Sequence, residues 1–141
     1  MTLFSACQEK DTHPGQPVTK REHIFRESLR NFRAMTLMVQ DKEPFSPQEF
    51  LEYAQQLKAL SPQPWEHFPP GSDYSPSRAL PAVWQQPEAF KQAQEKFMTA
   101  AGQLAEVAQS GDLARIRPAY DQVEESCSAC HHDFRSVGGL L

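Results

Sequence analysis

The sequence predicts an all-α fold, an antiparallel four-helix bundle with a long proline-rich connection between its second and third helices. Apolar residues recur at helical spacing in four segments, and the alternating or β-branched runs typical of strands do not occur. Two of the links between segments are short, which favours antiparallel neighbours, whereas the third is much longer. The 141 residues correspond to one ordinary domain.

The first helix is expected over about residues 20–41, with Pro44 beyond its end. Ser46 can cap the second helix, which has Pro47 at its first position and ends before Pro62. Each helix carries one stripe of residues that is expected to face the core. The stripe of helix one is Phe25, Leu29, Phe32, Thr36 and Val39, and that of helix two is Phe50, Tyr53, Ala54, Leu57 and Leu60.

The connection from Ser61 to Leu80 is rich in proline and far longer than the other two links. Loops of this length are usually functional or disordered. Its aromatic residues Trp65 and Phe68, with Trp84 just beyond it, predict that the connection packs against the bundle.

The third helix is expected over about residues 87–109 and is stopped by Ser110-Gly111. The fourth begins near Asp112, contains Pro118 as a late start or a kink, and is closed by the glycines at 138 and 139. Its inward positions include both cysteines of the C-terminal motif described below.

Charge and hydropathy narrow the functional classes. The formal net charge of −4 gives no electrostatic basis for nucleic-acid binding, so no nucleic-acid partner is expected. No apolar run approaches the roughly 20 residues that cross a bilayer. A membrane association therefore concerns the N-terminus alone.

Residues 1–19 are interpreted as a signal remnant or lipoprotein-type tether, and residues 20–141 as the helical domain. Cys7 follows Leu3-Phe4-Ser5-Ala6, which resembles the end of a bacterial lipoprotein signal, although six residues are short for such a signal. Acylation of Cys7 would anchor the chain, with the polar stretch 8–20 as a flexible tether. A free cysteine in a disordered leader is the alternative.

The sequence Cys127-Ser128-Ala129-Cys130-His131 has the CxxCH spacing of covalent haem attachment. On a helix these two thiols and the imidazole share one face and can meet the same edge of a flat macrocycle. The cysteines would form thioethers with the haem, and His131 would ligate the iron. One covalently bound haem c per chain is therefore the predicted cofactor.

A CxxC pair also occurs in zinc sites and in thioredoxin-like redox sites. A structural zinc site needs four ligands, usually with a second Cys or His pair at similar spacing, and the sequence has no such pair. A redox pair would lie beside a βαβ pattern, which is also missing. Haem attachment remains the favoured interpretation, with zinc, redox use and coincidence as alternatives.

The motif and several other segments resemble the cytochromes c′, class II c-type cytochromes with a haem-binding four-helix bundle. The resemblance covers about residues 20–135. It is carried, in the family's order and spacing, by Arg21-Glu22-His23-Ile24-Phe25, Pro64-Trp65, Phe68-Pro69-Pro70-Gly71, Leu80-Pro81-Ala82-Val83-Trp84 and the stretch from Cys127 to Arg135.

The resemblance implies roles for three residues outside the attachment motif. Arg21 would lie near the haem propionates, Phe25 would cover the distal face of the iron, and Arg135 would lie beside His131 on the proximal face. Each also has a structural interpretation: a surface ion pair for Arg21, core packing for Phe25, and helix-dipole complementation for Arg135. Trp65 is interpreted, like Phe68, as a packing residue of the haem site.

The expected protein is a periplasmic haem protein rather than an enzyme. Phe25 cannot ligate iron, so the resemblance implies five-coordinate iron that binds nitric oxide or carbon monoxide in an apolar distal pocket without a donor, and that can transfer electrons to an unknown redox partner. Close relatives with methionine at that position are six-coordinate, low-spin electron carriers, which is the first alternative. Met35 and Met38 are rival ligands only if the register of helix one is wrong. The second alternative is a non-haem metal-binding envelope protein.

The resemblance also implies a homodimer through helix one. Apolar residues outside the main stripe of that helix are compatible with a second buried face, although packing by the long connection would explain them equally well.

Overall fold

The computed structural model describes residues 10–137, which leaves Cys7 and the glycines at 138 and 139 outside the described residues. Over this range the fold is all-α, as predicted, and its only β-type pairing is an isolated bridge between Ala79 and Arg135. No described helix is long and apolar enough to cross a membrane. The helices are α1 (Pro17–Val39), α2 (Pro47–Leu60), α3 (Ala82–Gln85), α4 (Pro87–Ala108) and α5 (Leu113–Phe134).

The four long helices form the bundle, in which α1 packs on α2, α2 on α4 and α4 on α5. At one end of the cleft between α1 and α5, side chains join the two helices: Phe32 stacks on Tyr120, Thr36 hydrogen-bonds the Tyr120 hydroxyl, and Arg117 donates to the Val39 carbonyl at 2.6 Å. Later residues of α1 thus meet earlier residues of α5, which is the antiparallel arrangement that the sequence predicts.

Local chemistry explains where the helices begin. The Ser46 hydroxyl accepts the Glu49 N–H at 3.4 Å, which confirms the predicted cap, and the Asp112 carboxylate caps α5 by accepting the Ala114 N–H at 3.0 Å. Pro118 lies inside α5 and is not its start. The end of α5 was predicted too late: the helix stops at Phe134, four residues before the glycines.

The N-terminal boundary also differs from the expectation. Helix α1 begins at Pro17, and the preceding chain packs against it through Asp11, which is 3% exposed. The Asp11 carboxylate accepts the backbone N–H groups of Val18 and Thr19, at 3.1 and 3.3 Å, and the Tyr74 hydroxyl, at 3.0 Å. The flexible tether expected over residues 8–20 is therefore wrong for the described part of that stretch, because a carboxylate caps the helix from outside and ties it to the long connection.

Of the stripe predicted for α1, Val39 is buried, but most of the buried face is offset from that stripe by one residue. This face includes three polar side chains, Arg21, Ser28 and Asn31, of which Ser28 and Asn31 donate to backbone carbonyls of their own helix. Phe25, Leu29 and Phe32 are only half-buried because they line a cavity between α1 and α5. The core itself is built mainly from α1, α2, α4 and α5, with the fully buried side chains Met35, Phe50, Leu57, Leu104, Ile116 and Val123.

The long connection packs down, as its aromatic residues predict. It contains a 3₁₀ turn, Trp65–His67, and leads into the short helix α3, neither of which the sequence pattern indicated. The Trp84 indole N–H donates to the Phe68 carbonyl at 3.0 Å. This hydrogen bond attaches α3 to the part of the connection that follows the 3₁₀ turn.

Candidate functional site

Two adjoining cavities of about 180 and 220 Å³ lie on the α1–α5 side of the bundle. The residues common to both are Phe25 from α1, Trp65 from the connection, and Cys130 and His131 from α5. Every residue that the sequence singled out for the haem site lines at least one of them. Cys127 lines the second cavity, and Arg21, Phe68 and Arg135 line the first.

The attachment motif lies in the last turns of α5. Cys127 and Cys130 are half-buried, free thiols, and His131 follows on the same side of the helix. Burial raises the pKa of each thiol to about 11, so both are neutral at physiological pH. The two thiols and the imidazole together line the second cavity.

The imidazole of His131 is neutral as well. Burial, together with the smaller effect of the positive charge of Arg135, lowers its pKa to about 4. A neutral imidazole has a free nitrogen lone pair, which is the form that ligates a metal.

The position of Arg135 beside His131 depends on a backbone pairing that its spacing from His131 did not indicate. It is not in the last helical turn, as expected, but is the first residue after α5, with extended backbone. The Leu80 N–H donates to the Phe134 carbonyl at 2.9 Å and the Ser136 N–H to the Arg78 carbonyl at 2.8 Å, which pairs this segment with the long connection. The bridge holds Arg135 beside His131 at the first cavity.

Phe25 is the α1 residue that lines both cavities. Its ring makes edge contacts with Trp65 and Phe68, with centroids 5.9 and 6.3 Å apart. Met35 and Met38 are buried in the core and line neither cavity. The register of α1 therefore presents a hydrocarbon, and no methionine, to the space in front of His131.

Arg21 is buried, not a surface residue, and is 3% exposed. One terminal nitrogen donates to the His67 carbonyl and the Ser72 hydroxyl, and the other donates to the Ser72 carbonyl and the Ser77 hydroxyl, at 2.6–2.9 Å. Its guanidinium carbon also lies 4.4 Å from the centre of the Phe68 ring. Arg21 fastens the long connection to α1, a role that the sequence did not reveal.

Other residues of the site were missed for a similar reason. The first cavity is also lined by Val83, Phe90 and Phe134, which form a small apolar cluster of their own, and by Arg78. These residues come from four separate elements, so no local spacing connects them. Apart from the charged Arg78, only their apolar or aromatic character could have drawn attention to them.

The chemistry of these side chains fits a covalently attached haem. Two thiols at CxxC spacing and a neutral imidazole share one face, aromatic rings supply apolar walls, and arginines line the first cavity. The indole nitrogen of Trp65 is buried and has no acceptor among the described residues. No group of three or more His, Cys, Asp or Glu side chains within residues 10–137 is arranged to hold a metal ion.

Comparison with known proteins gives a consistent result. The family model for cytochrome c′ matches residues 16–135. Cytochrome c′ of Alcaligenes xylosoxydans xylosoxydans is 32% identical over 122 residues, which cover 86% of this chain and 94% of that protein.

Two solved structures of Alcaligenes xylosoxidans cytochrome c′ variants, one a nitric oxide complex and one with carbon monoxide bound, superpose on the chain. Each has a TM-score of 0.82 at 31% identity and covers 90% of this chain and 99% of that one. The match spans the bundle and the CxxCH motif on α5. The chain belongs to the cytochrome c′ family and carries a covalently bound c-type haem.

Proposed function

We propose that the protein holds a five-coordinate haem iron and binds nitric oxide or carbon monoxide on the side covered by Phe25. The observation that carries the proposal is that His131 and Phe25 line the same two cavities from α5 and α1. His131 supplies a nitrogen ligand, whereas Phe25 has no atom that can coordinate iron. The haem, when bound, supplies an open coordination position and a ferric–ferrous couple.

The roles proposed for the attachment residues follow from their chemistry. Cys127 and Cys130 form the thioethers, which fix the haem against α5 and allow His131 little choice of orientation. Burial keeps the His131 imidazole neutral and available, and the positive charge of Arg135 beside it adds to that effect. Together these residues define the proximal side of the site.

The opposite side favours diatomic gases of low polarity. The second cavity is walled by Phe25, Leu29 and Phe32 from α1 and by apolar residues of α2, the 3₁₀ turn, α4 and α5. The sequence predicted a wall without a donor, whereas Ser28, Ser126 and Ser128 also line this cavity. The Ser28 hydroxyl donates to the Ile24 carbonyl at 2.9 Å and the Ser126 hydroxyl to the Val123 carbonyl at 2.7 Å, so these two are engaged within their own helices. Bound dioxygen gains most from a distal donor, so this wall favours nitric oxide and carbon monoxide, the gases bound in the two related structures.

Six-coordinate, low-spin electron transfer is the alternative within the same fold. It requires a second protein ligand on the distal side. The burial of Met35 and Met38 in the core opposes it, since neither side chain lines the cavities. Gas binding and electron transfer to a redox partner are compatible if the iron is five-coordinate, and we propose no catalytic turnover.

The cellular setting is proposed on the same grounds. Haem c attachment places the protein in the periplasm, and acylation of Cys7, which lies outside the described residues, would add a membrane anchor. A homodimer through α1 remains a prediction.

The decisive experiment compares the wild-type holoprotein with Phe25→Met and Phe25→Leu. The reduced wild type should give a broad high-spin absorption spectrum that sharpens when carbon monoxide is added. The methionine variant places a thioether sulfur over the iron and should give sharp low-spin bands with weaker carbon monoxide binding, whereas the leucine variant should behave like the wild type. A low-spin wild-type spectrum that carbon monoxide leaves unchanged would reject the proposal and favour the six-coordinate carrier.

A further inference from the structure

The middle segment of the long connection, residues 69–77, is held on the bundle differently from the chain on either side of it. Among the described side chains, none from this segment belongs to either apolar cluster. The chain before it packs into those clusters through Trp65 and Phe68, and the chain after it does so through Ala79 and Val83. Apolar packing therefore fixes the connection on both sides of the middle segment but not within it.

Polar contacts to α1 and to the chain before α1 hold the middle segment in place. The Arg21 guanidinium donates to the hydroxyl and carbonyl of Ser72 and to the hydroxyl of Ser77, at 2.6–2.7 Å. Between these two serines, the Tyr74 hydroxyl donates to the Asp11 carboxylate at 3.0 Å. Both Arg21 and Asp11 are buried, so each group that holds the segment lies under it and not out in solvent.

The middle segment also forms part of the wall of the first cavity. Pro76 and Ser77 line that cavity, and His131 of α5 lines it as well. Directly after the segment, the Arg78 carbonyl accepts the Ser136 N–H at 2.8 Å, which ties this end to the chain that follows α5. A movement of the segment between its two fixed ends would uncover the cavity and leave the helices in place.

The two kinds of contact differ in what they cost to break. Hydrogen bonds that the middle segment releases can be replaced by hydrogen bonds to water, so the net loss for each is modest. Opening an apolar cluster instead exposes surface to water, and the cost increases with the area exposed. Segments with few buried apolar contacts accordingly open at a lower free energy than the whole molecule.

We infer that the middle segment is a lid, which opens while the four long helices remain folded and admits water and small solutes to the first cavity. The side chains that hold it closed are Arg21 and Asp11. The inference goes beyond the proposed gas binding, and it does not depend on the number of iron ligands.

Hydrogen–deuterium exchange of the holoprotein, followed by mass spectrometry, tests whether the lid opens separately. The N–H groups of Ser72 and Ser77 donate within the lid, to the Pro69 and Tyr74 carbonyls at 3.2 and 2.9 Å, so a peptide that contains them reports its opening. Its exchange should change little with sub-denaturing urea, because little surface is exposed, whereas exchange of a peptide around Leu104 in α4 should accelerate. Equal urea dependence would mean that the lid opens only when the protein unfolds. Exchange as fast as in an unfolded chain would mean that it is never closed, and either result rejects the inference.

A conservative variant tests the contact with Asp11. Tyr74→Phe keeps the ring and removes the hydroxyl, so exchange of the lid peptide should become about tenfold faster through loss of one hydrogen bond to a carboxylate. Tyr53→Phe makes the same change on α2 and is the matched control, with no effect expected on that peptide. If the two variants exchange alike, Asp11 does not hold the lid and the inference is wrong.

A thiol placed inside the first cavity measures access to it. Val83 lines that cavity and is 4% exposed. In a Cys7→Ser background, with Cys127 and Cys130 held in the thioethers of the proposed function, the thiol introduced by Val83→Cys is the one that iodoacetamide can alkylate. Adding Tyr74→Phe should make this labelling about tenfold faster, and an unchanged labelling rate would show that the lid does not control access. If the Val83→Cys protein does not fold, the exchange measurements decide.

Discussion

Replacing Arg21 by methionine tests whether this side chain holds the long connection on the bundle. Methionine keeps an unbranched apolar stem but removes the guanidinium, and with it four hydrogen bonds of 2.6–2.9 Å and the contact with the Phe68 ring. The acceptors on His67, Ser72 and Ser77 are then left without their donor. Each bond to a charged donor is worth about 1.5–3 kcal/mol, but the values are not additive and burial of the guanidinium opposes them.

A net loss of about 3 kcal/mol is therefore expected in the free energy of unfolding for Arg21→Met. For a chain of this size that corresponds to a Tm lower by about 10 °C. Thermal unfolding of the holoprotein followed by circular dichroism measures it, and the covalent haem is the same in both proteins. Arg33→Met, at an exposed position of the same helix, is the matched control and should leave Tm within about 2 °C.

Arg21→Lys keeps the charge but offers one nitrogen in place of two, so its Tm should fall between those of wild type and Arg21→Met. An Arg21→Met protein as stable as the Arg33→Met control would refute the anchoring role. If its reduction potential changed while its Tm did not, the main partner of Arg21 would be a haem carboxylate and not the connection.

Three further outcomes are expected. Burial raises the pKa of Asp11, but its hydrogen bonds outweigh that effect and leave the pKa below the usual 3.8, so its stabilising contribution is present above that value and disappears as the pH falls through the folded-state pKa. Urea unfolding midpoints of wild type and Asp11→Asn should accordingly differ at pH 7 and converge on acidification. Phe50→Ala empties a fully buried core position and should cost about 3–5 kcal/mol in urea unfolding. Cys127→Ser should retain haem through Cys130 alone, which the pyridine haemochrome spectrum would show as a single thioether, whereas Cys7→Ser should leave that spectrum unchanged.

The sequence was sufficient for features that depend on local chemistry. Ser46 and Asp112 belong to residue types that cap any helix beginning directly after them. The CxxCH motif indicates haem attachment from five consecutive residues. The four long helices and the haem site on α5 could therefore be predicted. What they have in common is that no distant contact is needed to define them.

Features that depend on distant contacts were out of reach. Asp11 caps α1 from seven residues away and binds Tyr74, 63 residues later, so the composition of its neighbours indicated only a tether. The bridge that places Arg135 beside His131 pairs it with Ala79 across more than 50 residues. Such pairings have no signature in a single sequence, because each partner is an ordinary polar or small residue until the chain folds.

The buried face of α1 is offset from the predicted stripe because part of that stripe lines a cavity and is not covered by protein. The sequence pattern identifies the apolar side of α1 but not whether protein or a ligand covers it, and Phe25, Leu29 and Phe32 turn out to face a cavity. Beyond Phe32 the same side of the helix is closed by Tyr120, through the ring stack and the hydrogen bond to Thr36.

One apolar stripe therefore serves two purposes along a single helix. Near the end of α1 it contributes to the contact with α5, and nearer its start it forms one wall of the haem site opposite Cys127 and His131. The transition at Phe32 sets how far the cavity extends along the two helices. Enlarging that residue would shorten the cavity, and breaking its stack with Tyr120 would let the helices separate, so the depth of the site is set by the same contact that joins α1 to α5.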